Sequence, residues 1–445
     1  MRTQRGRSVF GGGRMAGALV AAVCAAASLP GQAWAAGESP YAFDGAASRV
    51  KGAASSLDAQ QLKVGQSYRD SITKDGKLYY RVDLDAKRNA YVSVVAVPKP
   101  GGKAEYGDGI KVSLQDGSGS QCGYQDAAFE SAGFTRPITA YAHRTIEADR
   151  STCQRAGAYY VLVERTSKAV STPDDWELEI RYLSEPGVKQ TGPTALPENW
   201  PSSSPPPPAG GPQKRLGGAG FHDATSLKQG EWRADIKPGQ TLFYRVPVDW
   251  GQQIFATAEL GSSPSGATEY VSNALVLSLD NPARGHVDQD TVSYDGKPAT
   301  LALDPHRPVA FENRYSSNSY TNAMRFAGWY YLSATLSPEV AKEYGDKPVP
   351  LTLRVNVTGT AKAGPAYDGD AGPFKVTEND RDAAASGASG SEAQKSGGMV
   401  LVAAAGIGAG TVLIVGLGLW TLVGRRRAAR GPQDGPPQYG PPTAW

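Results

Sequence analysis

The sequence predicts a mainly β protein, with two tandem antiparallel β-sandwich domains followed by one C-terminal transmembrane helix. Short runs that alternate apolar and polar residues, such as LYYRVDLD at residues 78–85, indicate half-buried strands. Turn sequences such as KDGK at 74–77 and KPGQ at 237–240 separate these runs. Many short strands between such turns are typical of a β-sandwich. A long uncharged stretch near the C-terminus adds the helix.

The first 35 residues have the features of a secretory signal peptide. An uncharged run at 15–29 follows a basic segment that contains Arg2, Arg5, Arg7 and Arg14. The run is too short to cross a bilayer core of about 30 Å. Ala33 and Ala35 provide the small residues that signal peptidase requires. We therefore expect cleavage after Ala35 and export of the remainder.

Residues 399–423 carry no charge and are long enough to span a membrane. A basic cluster follows directly, formed by Arg425, Arg426, Arg427 and Arg430. Because basic flanks stay on the cytoplasmic side, residues 424–445 are expected to form a cytoplasmic basic and Pro-rich tail. The sequence thus predicts a single-pass protein of the cell membrane with an extracellular N-terminus, in which the C-terminal helix contacts the lipid bilayer.

Two low-complexity segments divide the exported part. Residues 184–220 contain PSSSPPPPAGGP and are expected to form a semi-stiff linker. Residues 359–396 are rich in Gly, Ala, Ser and Asp and are expected to form a flexible stalk. The folded domains are then residues 56–183 and 221–358.

The charge balance and the cysteines restrict the class of protein further. The 445 residues have a formal net charge of +3, which disfavours a nucleic-acid partner. Of the 3 cysteines, Cys122 and Cys153 remain after signal cleavage. An even pair in an oxidising compartment predicts a disulfide, and two free buried thiols are the alternative.

The two folded segments resemble each other, which predicts a tandem duplication. Six short pieces match in the same order, at offsets between 164 and 173 residues. One match aligns Tyr80 with Tyr244, and another aligns Tyr160 with Tyr331. A further match aligns RPI at 136–138 with RPV at 307–309.

The strand sequences also resemble a known family. The runs LYYRVDLD, GDGIKVSL at 107–114, AGAYYV at 156–161 and WELEI at 176–180 are similar to those of the bacterial pre-peptidase C-terminal domain. That resemblance implies a small jelly-roll-like sandwich that serves as an accessory or binding module of exported proteins. Family members carry an aspartate-rich G-D-x-D-L strand, at which some similar sandwiches bind calcium. This chain keeps Asp108 but lacks the second aspartate, and its second copy has SNAL at 272–275.

No set of residues in the sequence identifies a reaction, a cofactor or a metal site. The histidines lie outside the ligand spacing of known metal motifs; they are His143, His222, His286 and His306. Ser71 and Lys74 fit an S-x-x-K motif, but they lie in a predicted hairpin rather than at a helix start. Asp288 and Asp290 beside His286 could bind a cation through oxygen, with an exposed polar loop as the alternative.

Aromatic residues are the remaining functional signal, with 21 Tyr and 8 Trp. Those expected to contribute to a surface platform are Tyr79, Tyr159, Phe243, Tyr315, Tyr320 and Trp329. Exposed aromatics bind sugars and proteins, although aromatics also simply pack well on sheets. The sequence favours, first, a non-enzymatic cell-surface protein that displays two β-sandwich modules for extracellular protein or envelope contacts. The second hypothesis is a carbohydrate- or cell-wall-binding module, and the third is a hydrolase with an unrecognised site. An aromatic-lined groove would favour the second.

Overall fold

The computed structural model describes residues 41–393, apart from 131–132, 148–149, 191, 198, 264 and 266–268, together with Gly440. These residues belong to one compact unit. The predicted signal cleavage site, the predicted membrane span at 399–423 and the arginines that follow it lie outside the described residues. Within the part of the chain that is described, no helix is both long enough and apolar enough to cross a membrane.

The first copy consists of ten strands in two five-stranded sheets. The strands are β1 (Ser48–Arg49), β2 (Gln60–Gln61), β3 (Ser67–Ile72), β4 (Lys77–Leu84), β5 (Asn89–Val97), β6 (Gly109–Gln115), β7 (Gln121–Ala128), β8 (Ile138–Arg144), β9 (Gly157–Thr166) and β10 (Trp176–Glu185). One sheet has the order β1-β3-β10-β5-β8, and the other has the order β2-β4-β9-β6-β7. A short 3₁₀ helix at Ser56–Asp58 precedes β2.

The second copy also has ten strands in two sheets. They are β11 (Pro212–Lys214), β12 (Thr225–Ser226), β13 (Gly230–Ile236), β14 (Thr241–Val248), β15 (Gln253–Leu260), β16 (Val271–Asp280), β17 (His286–Tyr294), β18 (Ala299–Ala302), β19 (Gly328–Leu336) and β20 (Val349–Thr358). The sheet orders are β11-β13-β20-β15-β18 and β12-β14-β19-β16-β17. The helices are α1 (Ser319–Ala323), α2 (Glu339–Tyr344) and α3 (Glu378–Ser386), with a 3₁₀ turn at Phe311–Tyr315.

The strand orders of the two copies are the same, which agrees with a duplication. Each strand of the first copy occupies the place of the strand numbered ten higher in the second. The register agrees as well: Arg81 of β4 pairs with Tyr160 of β9, and Arg245 of β14 pairs with Tyr331 of β19. Tyr80 and Tyr244, the preceding residues, therefore occupy equivalent positions.

One of the six sequence matches is wrong. Ile138, at the start of β8, pairs with Ala96, whereas Ala299, at the start of β18, pairs with Leu260. Ala96 and Leu260 are equivalent positions, because they pair with the matched residues of β10 and β20. The segment RPI at 136–138 therefore corresponds to the start of β18 and not to RPV at 307–309, which lies in the loop after that strand.

The sheets are not purely antiparallel. The first strand of each sheet pairs in parallel with its neighbour, β1 with β3, β2 with β4, β11 with β13 and β12 with β14. Parallel neighbours cannot be joined by a hairpin. Here the chain passes through a strand of the opposite sheet before it returns, so the parallel pairing follows from the alternation between sheets.

Each copy contains its own apolar core between its two sheets. The predicted alternation of β4 is confirmed, because Tyr80, Val82 and Leu84 are buried while Arg81 and Asp83 are exposed. Each large apolar side chain that is fully buried contributes about 1.5–3 kcal/mol of transfer free energy. Since each copy has such a core, each is a β-sandwich.

The predicted disulfide is confirmed. Cys122 on β7 is bonded to Cys153, which lies in the loop before β9, with an S–S distance of 2.06 Å. The second copy has no cysteines at these positions. The bond therefore fixes a loop of the first sandwich alone.

The two sandwiches pack directly against each other through apolar side chains. Tyr41, Val95 and Val97 of the first sandwich form one buried cluster with Phe221 and Phe243 of the second. A second cluster unites side chains from both sandwiches and from the C-terminal segment: Tyr91, Tyr141, Leu183, Ala283, Phe326 and Phe374. The surface between the sandwiches, here called the junction, therefore resembles a domain core more than a linker contact.

The junction also buries charged groups in pairs. Glu185 of β10 accepts hydrogen bonds from Arg314 at 2.8 Å and from the hydroxyls of Tyr91 and Tyr367 at 2.8 and 2.7 Å. Burial alone would raise the pKa of the Glu185 carboxyl, but the Arg314 guanidinium and these hydrogen bonds hold it below its usual value. Glu185 is thus a buried carboxylate with a full set of donors.

The turn at 281–285 of the second sandwich fits closely against the first. The Asn281 side chain accepts hydrogen bonds from the backbone N–H groups of Ala283 and Gly285 and so holds the turn. A Cβ atom at Gly285 would lie 2.5 Å from the Tyr141 ring, so only glycine allows this approach.

Both low-complexity segments are more ordered than the sequence predicted. Residues 212–214 of the expected linker form β11, and Val188 pairs with Tyr367 in a β-bridge. In the expected stalk, Phe374 is fully buried and α3 is held by hydrogen bonds such as Trp329 Nε1 to Asp380 at 2.8 Å. Residues 359–393 therefore lie on both sandwiches instead of forming a free stalk, because scattered aromatic residues anchor them.

Candidate functional site

A cleft of about 290 Å³ on the second sandwich combines aromatic and polar side chains. It lies between the Pro-rich segment, the loop after β18 and α1. The aromatic, acidic and basic side chains that line it are Trp200, Asp288, Asp304, His306, Arg307 and Tyr320. We call it the aromatic cleft.

A hydrogen-bonded acid and histidine form the base of this cleft. Nε2 of His306 lies 3.0 Å from Oδ2 of Asp288, and the backbone N–H groups of Gln289 and Asp304 also donate to this carboxylate. Burial alone would raise the pKa of Asp288, but His306 and these N–H groups hold it below its usual value. Asp288 is therefore a fixed negative charge at the base of the cleft.

Two aromatic side chains line the same cleft as the pair. Tyr320, 52% exposed, stacks on the His306 ring with a centroid distance of 6.3 Å and an interplanar angle of 25°. The Arg307 guanidinium lies 5.6 Å from the Trp200 ring centroid. The cleft thus presents flat apolar rings next to charged hydrogen-bonding groups.

Gln253 of β15 positions both loops of the cleft. This residue is buried, and its Nε2 donates to the carbonyl oxygens of Pro201 at 2.9 Å and His306 at 2.7 Å. Arg307 in turn donates to the carbonyl of Pro197 at 2.5 Å. These bonds attach the Pro-rich segment to the sandwich and place Trp200 at the rim.

The arrangement suits ligands that carry many hydroxyl groups. Carboxylates accept hydrogen bonds from hydroxyls, and a guanidinium donates to their oxygens. Aromatic faces pack against the apolar C–H surface of the same ligand. The cleft offers both kinds of contact within one volume.

The structure separates the predicted cation ligands. Asp288 is hydrogen-bonded to His306 and not to His286. Nδ1 of His286 lies 3.7 Å from Asp280 instead. Asp290 is exposed. Across the described residues, no group of three or more His, Cys, Asp or Glu side chains could hold a metal ion. The pairing of Asp288 with His306 was not visible in the sequence, since 18 residues separate them.

The other histidines and the S-x-x-K motif lie elsewhere. His143 stacks on Tyr141 at the junction, with ring centroids 5.2 Å apart, and Nδ1 of His222 lies 3.6 Å from Asp44. Ser71 is on strand β3, and Lys74 donates to the backbone carbonyls of Ala169 and Ser171. The motif therefore does not lie at the start of a helix.

Only part of the predicted aromatic surface exists. Phe243 and Tyr159 are buried, Phe243 in the junction and Tyr159 in the first core. Trp329 is half-buried between Arg245 and α3, and Tyr79 is half-buried on β4. Tyr315 and Tyr320 are exposed as expected, and Trp200, which the sequence analysis did not single out, completes the cleft.

No family model matches the chain, and no curated protein matches it. Among the solved structures that match, the similarity is weak. The structure of Broad Bean Stain Virus is 9% identical, with 72% of this chain and 95% of that chain covered and a TM-score of 0.17. The CBM22-1-CBM22-2 tandem domain of Paenibacillus barcinonensis Xyn10C is 11% identical, with 67% of this chain and 92% of that chain covered and a TM-score of 0.19. Tripeptidyl peptidase 2 is 9% identical, with 68% of this chain and 27% of that chain covered and a TM-score of 0.20. Such low TM-scores support no argument about function, and the resemblance to pre-peptidase C-terminal domains stays a prediction.

Proposed function

We propose that this chain is a non-enzymatic extracellular protein that displays a rigid pair of β-sandwiches, and that its aromatic cleft binds carbohydrate. One observation carries the proposal: Trp200 and Tyr320 line the same cleft as the hydrogen-bonded Asp288–His306 pair. Aromatic faces next to fixed polar groups are a typical way to bind the two kinds of surface that a sugar ring presents.

The junction supports the display part of the proposal. Apolar clusters and buried ion pairs fix the orientation of the two sandwiches. A fixed orientation lowers the entropic cost when a ligand engages the pair.

Two observations support a location outside the cell. The disulfide between Cys122 and Cys153 suits an oxidising compartment. The basic, apolar and small-residue order of residues 1–35 suits export. Attachment through residues 399–423, with the arginines from Arg425 on the cytoplasmic side, is part of the same proposal.

Native gel electrophoresis of the full chain in gels that contain soluble glycans tests the cleft. The probes are β-glucan, mannan and muramidase-digested peptidoglycan. We expect at least one of them to retard the wild-type chain, and we expect Trp200→Ala and Tyr320→Ala to reduce the apparent affinity about tenfold each, because a stacked ring contributes about 1–2 kcal/mol.

The matched controls are Tyr106→Ala and Tyr270→Ala, which remove rings that are 71% and 70% exposed and lie outside the cleft. They should leave the retardation unchanged. Equal losses in the control and cleft variants, or no retardation by any probe, would contradict carbohydrate binding at this cleft. Release of new reducing ends from a probe would contradict a non-enzymatic role.

A further inference from the structure

A second cleft, of about 280 Å³, lies on the first sandwich, far along the chain from the aromatic cleft. It is bordered by the segment between β2 and β3, the turn between β4 and β5, and the end of β8. Three of its side chains carry positive charge: Lys63, Arg88 and Arg144. Lys63 and Arg88 are exposed, whereas Arg144 is only 1% exposed and lies at the base.

The Arg144 guanidinium is incompletely bonded. Its Nη2 donates to the backbone carbonyl of Asp85 at 2.5 Å. Its Nε and Nη1 are buried and have no hydrogen-bond partner. Its Cζ atom lies 5.4 Å from the Tyr159 ring centroid, but a contact with a ring face does not satisfy the N–H groups at the edge of the guanidinium. Buried donors without acceptors are costly, so native proteins rarely keep them.

Arg165 of the same sandwich is a buried arginine that can be compared with Arg144, because protein oxygens accept from its guanidinium. It is 3% exposed, and its guanidinium lies 3.9 Å above the Trp176 ring centroid. Unlike Arg144, it donates from Nη1 to the carbonyls of Asp174 and Ile72 and from Nε to Ser167. Arg215 and Arg325 each have a buried Nε without a partner, and Arg245 has one such Nη2, whereas Arg144 has two such nitrogens.

The two acids of the cleft are already engaged. Asp85 accepts hydrogen bonds from the backbone N–H groups of Lys87 and Arg88, both at 2.7 Å, and these bonds hold its pKa below the usual value against the opposing effect of burial. Asp83 accepts from Gln61 and Arg81. Neither carboxylate accepts from the open N–H groups of Arg144.

The hydroxyl of Tyr182 adds a neutral donor. Burial raises the pKa of Tyr182 to about 12, so the hydroxyl stays protonated at neutral pH. The cleft therefore contains a hydroxyl that can donate a hydrogen bond without carrying charge.

We propose that this cleft binds an oxyanion group, such as a carboxylate, sulfate or phosphate, through the Nε and Nη1 donors of Arg144. A charged oxygen would satisfy donors that no protein oxygen satisfies. Lys63 and Arg88 line the same cleft with exposed side chains, and their charges attract the anion.

Isothermal titration calorimetry of the full chain tests this with sodium sulfate, sodium phosphate and sodium acetate, each at constant ionic strength. We expect saturable millimolar or tighter binding of at least one anion. Arg144→Met should abolish it, and the exposed double variant K63Q/R88Q should weaken it about tenfold. Binding of sulfate and phosphate without acetate would identify a tetrahedral group, and binding of acetate alone would identify a carboxylate.

Arg165→Met is the matched control, because it removes a buried, stacked arginine whose donors are satisfied, and it should leave anion affinity unchanged. Circular dichroism shows which variants fold. If Arg144→Met does not fold, the anion affinity of K63Q/R88Q tests the proposal instead. Both of its substituted side chains are exposed, so this variant is expected to fold. Absence of saturable binding by the wild-type chain, or wild-type affinity in a folded Arg144→Met or in K63Q/R88Q, would overturn the proposal.

Discussion

Arg284 of the second sandwich donates a 2.5 Å hydrogen bond to the carboxylate of Glu179 on the first, and both side chains are almost fully buried. The same carboxylate accepts from the backbone N–H of Asp44 at 2.9 Å. Arg284 also lies 4.8 Å from the Phe221 ring centroid. One buried ion pair thus joins the two sandwiches beside an apolar ring of the junction.

Replacement of Arg284 by Met should lower the free energy of unfolding by about 3–5 kcal/mol, because Glu179 would remain buried without its cation. Chemical denaturation of the full chain measures this. The control is Lys77→Met, which breaks the exposed pair with Glu164 at 2.7 Å and should cost less than about 1 kcal/mol. Equal costs for the two variants would mean that the buried pair contributes no more than a surface pair.

Gly285→Ala should also destabilise the junction. Its Cβ would lie 2.5 Å from the Tyr141 ring, and overpacking of this kind costs about 1–3 kcal/mol. At Gly45 a Cβ would meet no atom within 4 Å, so Gly45→Ala should change stability by less than about 0.5 kcal/mol. The same denaturation experiment compares them, and a neutral Gly285→Ala would show that the turn can move away from the first sandwich.

The two sandwiches should unfold in a single transition, because they share two apolar clusters and two buried ion pairs. Differential scanning calorimetry tests this through the agreement of calorimetric and van't Hoff enthalpies. Arg284→Met combined with Arg314→Met should separate the transition into two. Two resolved transitions in the wild-type chain would contradict a cooperative junction.

Acid should destabilise the protein partly through Glu185. Its folded pKa is below the unfolded value of about 4.3, so its stabilising contribution is complete above that pH and is lost as pH falls through the folded pKa. Glu185→Gln should therefore be less stable than wild type at pH 7, and the gap should narrow below about pH 4. A gap that stays constant between pH 7 and pH 3 would show that Glu185 does not titrate differently on folding.

The disulfide should stabilise the first sandwich against unfolding. Cys122 and Cys153 are 31 residues apart, and a closed loop of that length contributes about 3–4 kcal/mol by restricting the unfolded chain. A C122A/C153A variant measured by chemical denaturation should lose about this amount. A loss below about 1 kcal/mol would mean that the loop is restricted without the bond.

The sequence predicted the sheets better than their surroundings. In β4 only one face is covered by the core, so buried Tyr80, Val82 and Leu84 alternate with exposed residues, and this pattern could be recognised in the sequence. In β14 the junction covers the second face as well, and Phe243, expected on the surface, is buried. All nine residues of β5 are buried, and its nearly continuous apolar sequence NAYVSVVAV was the available signal for a strand covered on both faces.

The aromatic cleft was predictable only in part. Tyr320 was recognised as a surface aromatic, but its neighbours come from distant segments. Trp200 lies in a Pro-rich segment whose composition suggested a spacer, and its position depends on Gln253, a single buried donor on β15. Sequence periodicity reports which face of a strand is buried and does not report which loop is held against it.

The ion pair between Glu179 and Arg284 makes the association of the repeats directional. By strand register, the position of Glu179 is occupied in the second copy by Thr352, since Glu179 pairs with Arg69 and Thr352 with Arg233. Gln115 of β6 and Asp280 of β16 are likewise equivalent, which places Gly119 of the first copy at the position of Arg284. Gly119 has φ 86° and Arg284 has φ 59°. The two equivalent turns therefore both have a residue with left-handed backbone at this position, and only the side chain differs.

The contact is therefore head-to-tail, with a carboxylate on one repeat and a guanidinium on the next. A contact of this kind can in principle add repeats without end and produce a fibre. Here neither outer face retains its half of the pair, because the first repeat presents a glycine and the second a threonine. The substitutions that distinguish the two repeats thus leave neither outer face with a partner for a second copy of this ion pair.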